Sequence, residues 1–499
     1  MTDTAYLALE DQFARIADVE QALGLLGWDR AVMMPSGSST DRGNQAATLG
    51  GIAHGMITDP KVGDWLAEAD AAKTGLSPQQ RANLHEMQRL HAHATAVPQA
   101  LVEAHNRACT RSEMLWREAR QQANFEMLRP ALEEVLNLTI QQAEAKAAAL
   151  GCTAYEAMLD TYDPGLKPAV IDALFDDLTG FLPGFLAEVQ EHQARQDVPA
   201  HPTGPYPVAA QEALGRKLMA AAGFDFNRGR LDVSTHPFCG GAGPHDIRIT
   251  TRYDEADFTS ALMGVMHETG HALYEAGLPE NLVRQPVGNA RGMTMHESQS
   301  LLMEMQACRS EGFMQFLAPL VRESFGGDAG DWSAETLHYH YTRVAPGFIR
   351  VDADEVTYPA HVILRYRLER AMIAGDLAIA DLPGAWAEGM QELLGITPPN
   401  DGVGCLQDIH WPDGAFGYFP TYTLGALTAA QLFATIRRDL PGLDDDLARG
   451  EFGNLLAWLR KHVHGRGSET DTMTIIADAT GSTLCTEAFK THLRTRYLS

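Results

Sequence analysis

The chain has 499 residues, 45% hydrophobic and 21% charged, which is ordinary for a globular protein and ample for a large core. Against 39 basic residues stand 65 acidic ones, and the net charge of −26 argues against nucleic acid or an anionic membrane as partner. No apolar run approaches the roughly 20 residues of a membrane span. No signal peptide is visible at Met1-Thr2-Asp3-Thr4, and Cys109, Cys152, Cys239, Cys308, Cys405 and Cys485 stand singly, as free thiols in a reducing, cytoplasmic compartment do.

From 7 to about 150 the pattern is helical and rich in Ala, Leu, Gln and Glu. Trp28-Asp29, Met33-Met34-Pro35 and Gly37 mark a break between two helices, with Asp41 opening the second. His85, His91 and His93 precede Pro98. His85 and Glu86 are out of i, i+4 register with the later pair, so this group reads as a solvated helical face. A helix resumes over about 125–150, 160–165 is a turn, and Pro168 belongs in the first turn of the next helix. Pro199, Pro202, Pro205 and Pro207 impose an irregular connection, and a helix over about 208–222 follows. The convincing strands are 231–234 and 246–252, with 240–244 looping between them. Two uses suit such a small sheet: an edge on which an extended peptide adds a strand, or a structural hairpin capping the helices.

The stretch 258–277 reads as one helix around His267-Glu268-Thr269-Gly270-His271. A helix sets i and i+4 on one face, so both imidazoles can meet one metal ion, and Glu268 between them is placed to act as a general base toward water. The apolar flanks Ala261, Leu262, Val265, Met266, Ala272 and Leu273 put this face in a buried setting, where unpaired polar groups are costly. Gly270 leaves room for something bulky beside the metal, and Gly277 ends the helix as a C-cap. A third ligand has to come from another helix. Glu297, in His296-Glu297-Ser298, opens the next apolar-periodic stretch and returns antiparallel over the histidines. Glu275 lies one turn beyond His271 on the same helix and suits an orienting role behind a histidine. Two His and one carboxylate leave tetrahedral zinc a fourth position for water, the catalytic arrangement.

Beyond 338–346 comes Ile349-Arg350-Val351-Asp352-Ala353-Asp354, then a helix over about 358–374. A buried Arg350 would grip a carboxylate in bidentate fashion; an exposed one would pair with Asp354. Residues 400–425, dense in Gly and aromatics, form either an active-site wall or ordinary core packing, and terminal helices including 455–459 follow. There is no internal repeat, low-complexity run or clear interdomain linker.

Six ordered stretches resemble the Taq-type thermostable metallocarboxypeptidase family: His236-Pro237-Phe238, Asp246-Ile247-Arg248-Ile249-Thr250, His267 to His271, His296-Glu297-Ser298, Ile349 to Asp354, and Gly404-Cys405-Leu406-Gln407-Asp408-Ile409-His410-Trp411. Weaker likeness runs from Trp28 to the C-terminal helices. The resemblance implies a mainly α, two-lobed fold spanning 1–499 as one domain, with a deep active-site groove and a small sheet beside the HExxH helix. It implies a homodimer that removes single C-terminal residues with broad preference from peptides bearing a free C-terminus. One zinc per chain, replaceable by cobalt, would be held by His267, His271 and Glu297, with Glu268 as base. Arg350 becomes the counter-ion for the substrate's terminal carboxylate, Arg248 and His236 its helpers, and His410 with Tyr418 or Tyr422 the oxyanion donors. Two other readings stand beside this one: an endo- or oligopeptidase on the same metal core, and a non-catalytic peptide-binding scaffold.

Overall fold

The computed structural model describes residues 4–199 and 203–498; the expectations for Pro202 and for residues 1–3 lie outside them. Helices dominate, and several begin where the sequence says they must. Asn124 accepts from Met127 N–H at the head of Phe125–Leu150, Pro168 occupies the first position of Pro168–Gln193, and Val208–Ala222 stops at Gly223 in the left-handed region. The first helix, Thr4–Val32, ends before Pro35, and the next starts at Ser39, two residues ahead of Asp41.

Apolar side chains gather in three cores, the smallest under the sheet. Tyr6, Leu9 and Phe13 of the first helix pack with Val62, Leu66, Leu84 and Met87. A much larger core joins the remaining helices, with Phe258, Met266, Met295, Phe313, Trp386 and Leu427 in its interior. His93 corrects the picture of a fully solvated histidine face, because its Nε2 lies 2.7 Å from Asp160 Oδ2. No helix among the described residues is long and apolar enough to cross a membrane.

The sheet corrects a simpler expectation. Strands β1 (Gly229–Val233), β2 (Cys239–Gly241) and β3 (Ile247–Thr251) lie in the order β1-β3-β2. The two expected strands are therefore parallel neighbours, and the hairpin joins β2 to β3. Gly240 and Gly241 belong to a strand rather than a loop, and the turn closes through Ala242 N–H to Asp246 O at 2.9 Å. Glycine runs carry no strand signal in sequence, since β propensity rests on side-chain packing. Leu231, Ile247 and Ile249 turn one face onto Val265 and Ala272 of the HExxH helix. The β2 edge is crowded at Gly241 by the first helix, where a side chain on Gly24 would meet Gly241 O at 2.6 Å.

Candidate metal centre

The HExxH helix spans Phe258–Glu275 and is capped by Asp257, whose Oδ1 accepts from Thr259 N–H at 2.8 Å. Ala276, not Gly277, is its C-cap; Gly277 is small because His464 presses on it, 2.8 Å from where a Cβ would stand. The helix Gly292–Leu301 runs antiparallel alongside, as successive contacts show: Glu275 with His296, Gly270 with Gln299 and Ser300, His267 with Glu304. Gly270 therefore makes room for backbone, not for a bulky group beside a metal.

This crossing brings His267, His271 and Glu297 together, with one donor atom from each within 4.8 Å of the others. Glu297 Oε2 lies 3.8 Å from His267 Nε2 and 3.5 Å from His271 Nε2. Tetrahedral bonds of about 2.1 Å space ligands roughly 3.4 Å apart, so a small divalent cation fits with little movement. Glu268 is buried beside them, and its Oε2 has no hydrogen-bond partner among the described residues, an orphaned acceptor that suits a missing donor there. Burial lifts the Glu268 carboxyl to about 7, against the pull of His267.

Behind these three side chains further polar groups hold the two histidine rings. Glu275 Oε1 is 2.8 Å from His296 Nε2, and His296 Nδ1 is 2.6 Å from His271 Nδ1. With Glu275 accepting from His296 Nε2–H, His296 Nδ1 accepts from His271 Nδ1–H, which frees the His271 Nε2 lone pair for a cation. Glu304 Oε2, 3.0 Å from His267 Nδ1, does the same for the other ring, and Arg309 Nη2 holds Glu304 at 2.6 Å. Burial disfavours charge on His267, yet Glu304 and Glu297 outweigh it and raise the ring's pKa, so a cation must displace a proton to bind. Glu304 sits in a π-helical turn, Leu302–Ala307, that continues from the ligand helix. On the far side of Glu297, Gly425 of helix Pro420–Asp439 allows close approach: a Cβ there would meet Glu297 Cβ at 2.9 Å.

Arg350 is 5% exposed, which removes the surface pair with Asp354. Asp354 instead accepts from Val356 and Thr357 N–H at the start of Tyr358–Ala374. Arg350 Nε and Nη2 donate to Asp408 Oδ1 at 3.1 and 2.9 Å, and its Nη1 to Tyr358 OH at 3.0 Å. Arg365 Nε takes the other oxygen, Asp408 Oδ2, at 2.6 Å. One carboxylate between two guanidinium groups leaves a buried positive charge uncancelled. Arg350 spends three of its five N–H groups on these bonds and keeps two. Its guanidinium also stacks 4.9 Å over Tyr422. Glu297 and Arg350 both act electrostatically on Tyr358 and Tyr422, so the carboxylate-facing arginine and the metal cluster flank the same tyrosines. His410 Nε2 is 3.3 Å from Tyr422 OH, and its ring lies against Tyr418 at 5.5 Å. Tyr422 stands on a helix that begins at Pro420, so the irregular Gly- and aromatic-rich stretch ends sooner than 425.

A family model described as carboxypeptidase Taq (M32) metallopeptidase matches residues 8–497. The chain belongs to the M32 family. Thermostable carboxypeptidase 1 of Thermus thermophilus is 37% identical over 99% of this chain and 96% of its own. Carboxypeptidase 1 of Bacillus subtilis is 32% identical over 98% of this chain and 97% of its own. Among solved structures, metallocarboxypeptidase 1 of Trypanosoma cruzi superposes with TM-score 0.97 at 41% identity, covering 99% of both chains. The M32 carboxypeptidase of Deinococcus radiodurans gives 0.94 at 34%, again over 99% of both. This protein is thus a metallocarboxypeptidase, a peptide hydrolase that works with a divalent metal ion.

Two residues expected near the substrate site make no hydrogen bond, ion pair or ring contact with it among the described residues. Arg248 is held by both oxygens of Asp246 at 2.8 Å and stacks 4.4 Å from the Trp28 ring, and His236 is exposed. Sequence reading missed Glu304, Arg309, Arg365 and the relay role of His296. Glu304 was findable, because it follows Glu297 by two helical turns on one face. Arg365 carried no local signal, since its importance comes from a shared partner 43 residues away.

Proposed function

We propose that His267, His271 and Glu297 hold one divalent cation, zinc with cobalt as substitute, and that the enzyme releases single residues from free C-termini with broad preference. The observation that carries this reading is the Arg350 guanidinium, buried, over-compensating Asp408 and flanking the same tyrosines as Glu297. An exopeptidase needs such a charge one residue from the scissile bond, to anchor the terminal carboxylate. When bound, the cation supplies Lewis acidity toward the carbonyl and lowers the pKa of water.

The remaining steps belong to this chain's side chains. Glu268 accepts the proton of the attacking water and passes it to the departing amine. His410 stays neutral near pH 7 because burial pulls its pKa down to about 4, though Asp408 opposes this. It therefore acts as a fixed N–H donor. Burial likewise raises the Tyr418 and Tyr422 phenols, which keeps both protonated as donors to the developing oxyanion. The assembly acts as a homodimer in the cytoplasm, a setting in keeping with its six free cysteines.

Metal analysis combined with mass spectrometry of a peptide ladder tests the assignment. The expected result is one ion per chain, stepwise loss from free C-termini, and no attack on an amidated peptide. Internal cleavage of the amidated peptide would establish an oligopeptidase instead, and bound but uncut peptide a scaffold. Glu268→Gln should keep its metal and lose about 10²–10⁴ in turnover.

A further inference from the structure

A pocket of about 300 Å³ lies beside the loop that carries His410, outside the site described above. Its walls come from three helices and that loop: His105 of Gln99–Gln122, Thr139 and Lys146 of Phe125–Leu150, Thr161 and Tyr162 of Ala154–Tyr162, and Asp413. Thr139 and Lys146 are two turns apart on one helical face, so both look into the same space. Lys146 is partly buried, and among the described residues its ammonium has neither hydrogen bond nor ion pair. Asp160, which acts on Lys146 through space, is already held by Arg89 and His93. Asp413 stands exposed at the rim, and its carboxylate also has no side-chain partner among the described residues. Burial works against both charges, lowering the Lys146 pKa and raising that of Asp413, to which Glu113 adds. The partly buried Lys146 ammonium has no carboxylate bonded to it among the described residues, and the Asp413 carboxylate at the open rim can receive an unlike charge on the same ligand.

We infer that this pocket is a binding site for a free α-amino acid, its carboxylate on Lys146 and its ammonium on Asp413. Thr139, Thr161 and His105 supply further polar contacts, and the volume suits a small side chain. Choosing the reaction's own product as occupant rests on the exopeptidase reading; the complementarity of charge does not. The occupant would lie against catalytic parts. Ala415 N–H donates to His410 O at 2.8 Å, and the Tyr162 ring meets Tyr418 edge-on at 4.9 Å. His105 fixes the floor, with Nε2 2.9 Å from Thr139 Oγ1 and its ring 2.7 Å from where a side chain on Gly414 would stand.

The test is a titration of metal-loaded enzyme carrying ¹³C-labelled histidine, read at the His105 resonance, which His105→Gln identifies among the 19 histidines. L-Alanine should shift that signal saturably. Acetate should do so only at about tenfold higher concentration, as N-acetyl-alanine should, and methylammonium should not. Asp413→Asn should weaken L-alanine about tenfold, to the level of acetate, and leave acetate unchanged. Lys146→Met, which keeps the apolar stem, should abolish the response to both. An unmoved His105 signal, or Lys146→Met titrating like the parent, overturns the site; Asp413→Asn without effect on L-alanine overturns the zwitterion. Repeating the titration in Glu268→Gln removes turnover, so its outcome is independent of the exopeptidase assignment.

Discussion

Replacing Gly270 with alanine probes how firmly the proposed metal ligands are held. Helix propensity alone predicts a gain of about 1 kcal/mol. The crossing predicts the reverse: the added methyl would stand 2.6 Å from Ser300 Cα and closer still to the Gln299 carbonyl oxygen. Contacting carbons settle about 3.5–4.0 Å apart, so the helices must part by about 1 Å. Both obstacles are backbone, and no side chain can swing aside. Overpacking of this kind costs about 1–3 kcal/mol, enough to reverse the propensity gain. Glu297 lies within one turn of Ser300, so it moves with the displaced backbone, while metal sites tolerate about 0.2 Å. Gly270→Ala should therefore melt below the parent without metal and bind the cation about 10- to 100-fold more weakly. Chelator competition and thermal melts of the metal-free chain measure both. Equal or higher stability with unchanged affinity would refute the close-crossing account.

Glu304→Gln should lower metal affinity about 10- to 100-fold by loosening His267, and destabilise the fold by about 3–5 kcal/mol because Arg309 loses its counter-ion. Chelator competition reads the first and denaturant unfolding the second. Arg350→Ala should cut kcat/KM at free C-termini roughly a hundredfold, about 3 kcal/mol, with metal content unchanged. Its fold should survive, since Asp408 keeps Arg365. Normal efficiency in that variant would remove the carboxylate role. His410 provides a pH test: burial first, with Arg350 and Arg365 assisting against Asp408, lowers its folded pKa to about 4. Its neutral form therefore favours the folded state above about pH 6.5. As pH falls toward 4 the unfolded chain takes up the proton and about 3 kcal/mol is lost. Stability curves for the parent and His410→Gln should converge with that sign between pH 6.5 and 4; parallel curves would contradict it.

The HExxH helix, the Glu297 ligand candidate and the helical elements were legible in the sequence because each rests on local periodicity or on chemistry within one turn. Phe125–Leu150 and Val208–Ala222 carry their own caps and apolar phase, and two histidines four apart declare themselves wherever the helix goes. The strand order, the purpose of Gly270 and Gly277, and the partner of Arg350 lay beyond such reading. A parallel β1–β3 pair is decided by how the intervening chain packs on the HExxH helix, and a glycine's near neighbour by the helix that crosses it. Arg350 had a carboxylate four residues away in Asp354, yet it took Asp408, 58 residues on, because burial makes a shared, fully bonded carboxylate worth more than an adjacent one committed to capping a helix.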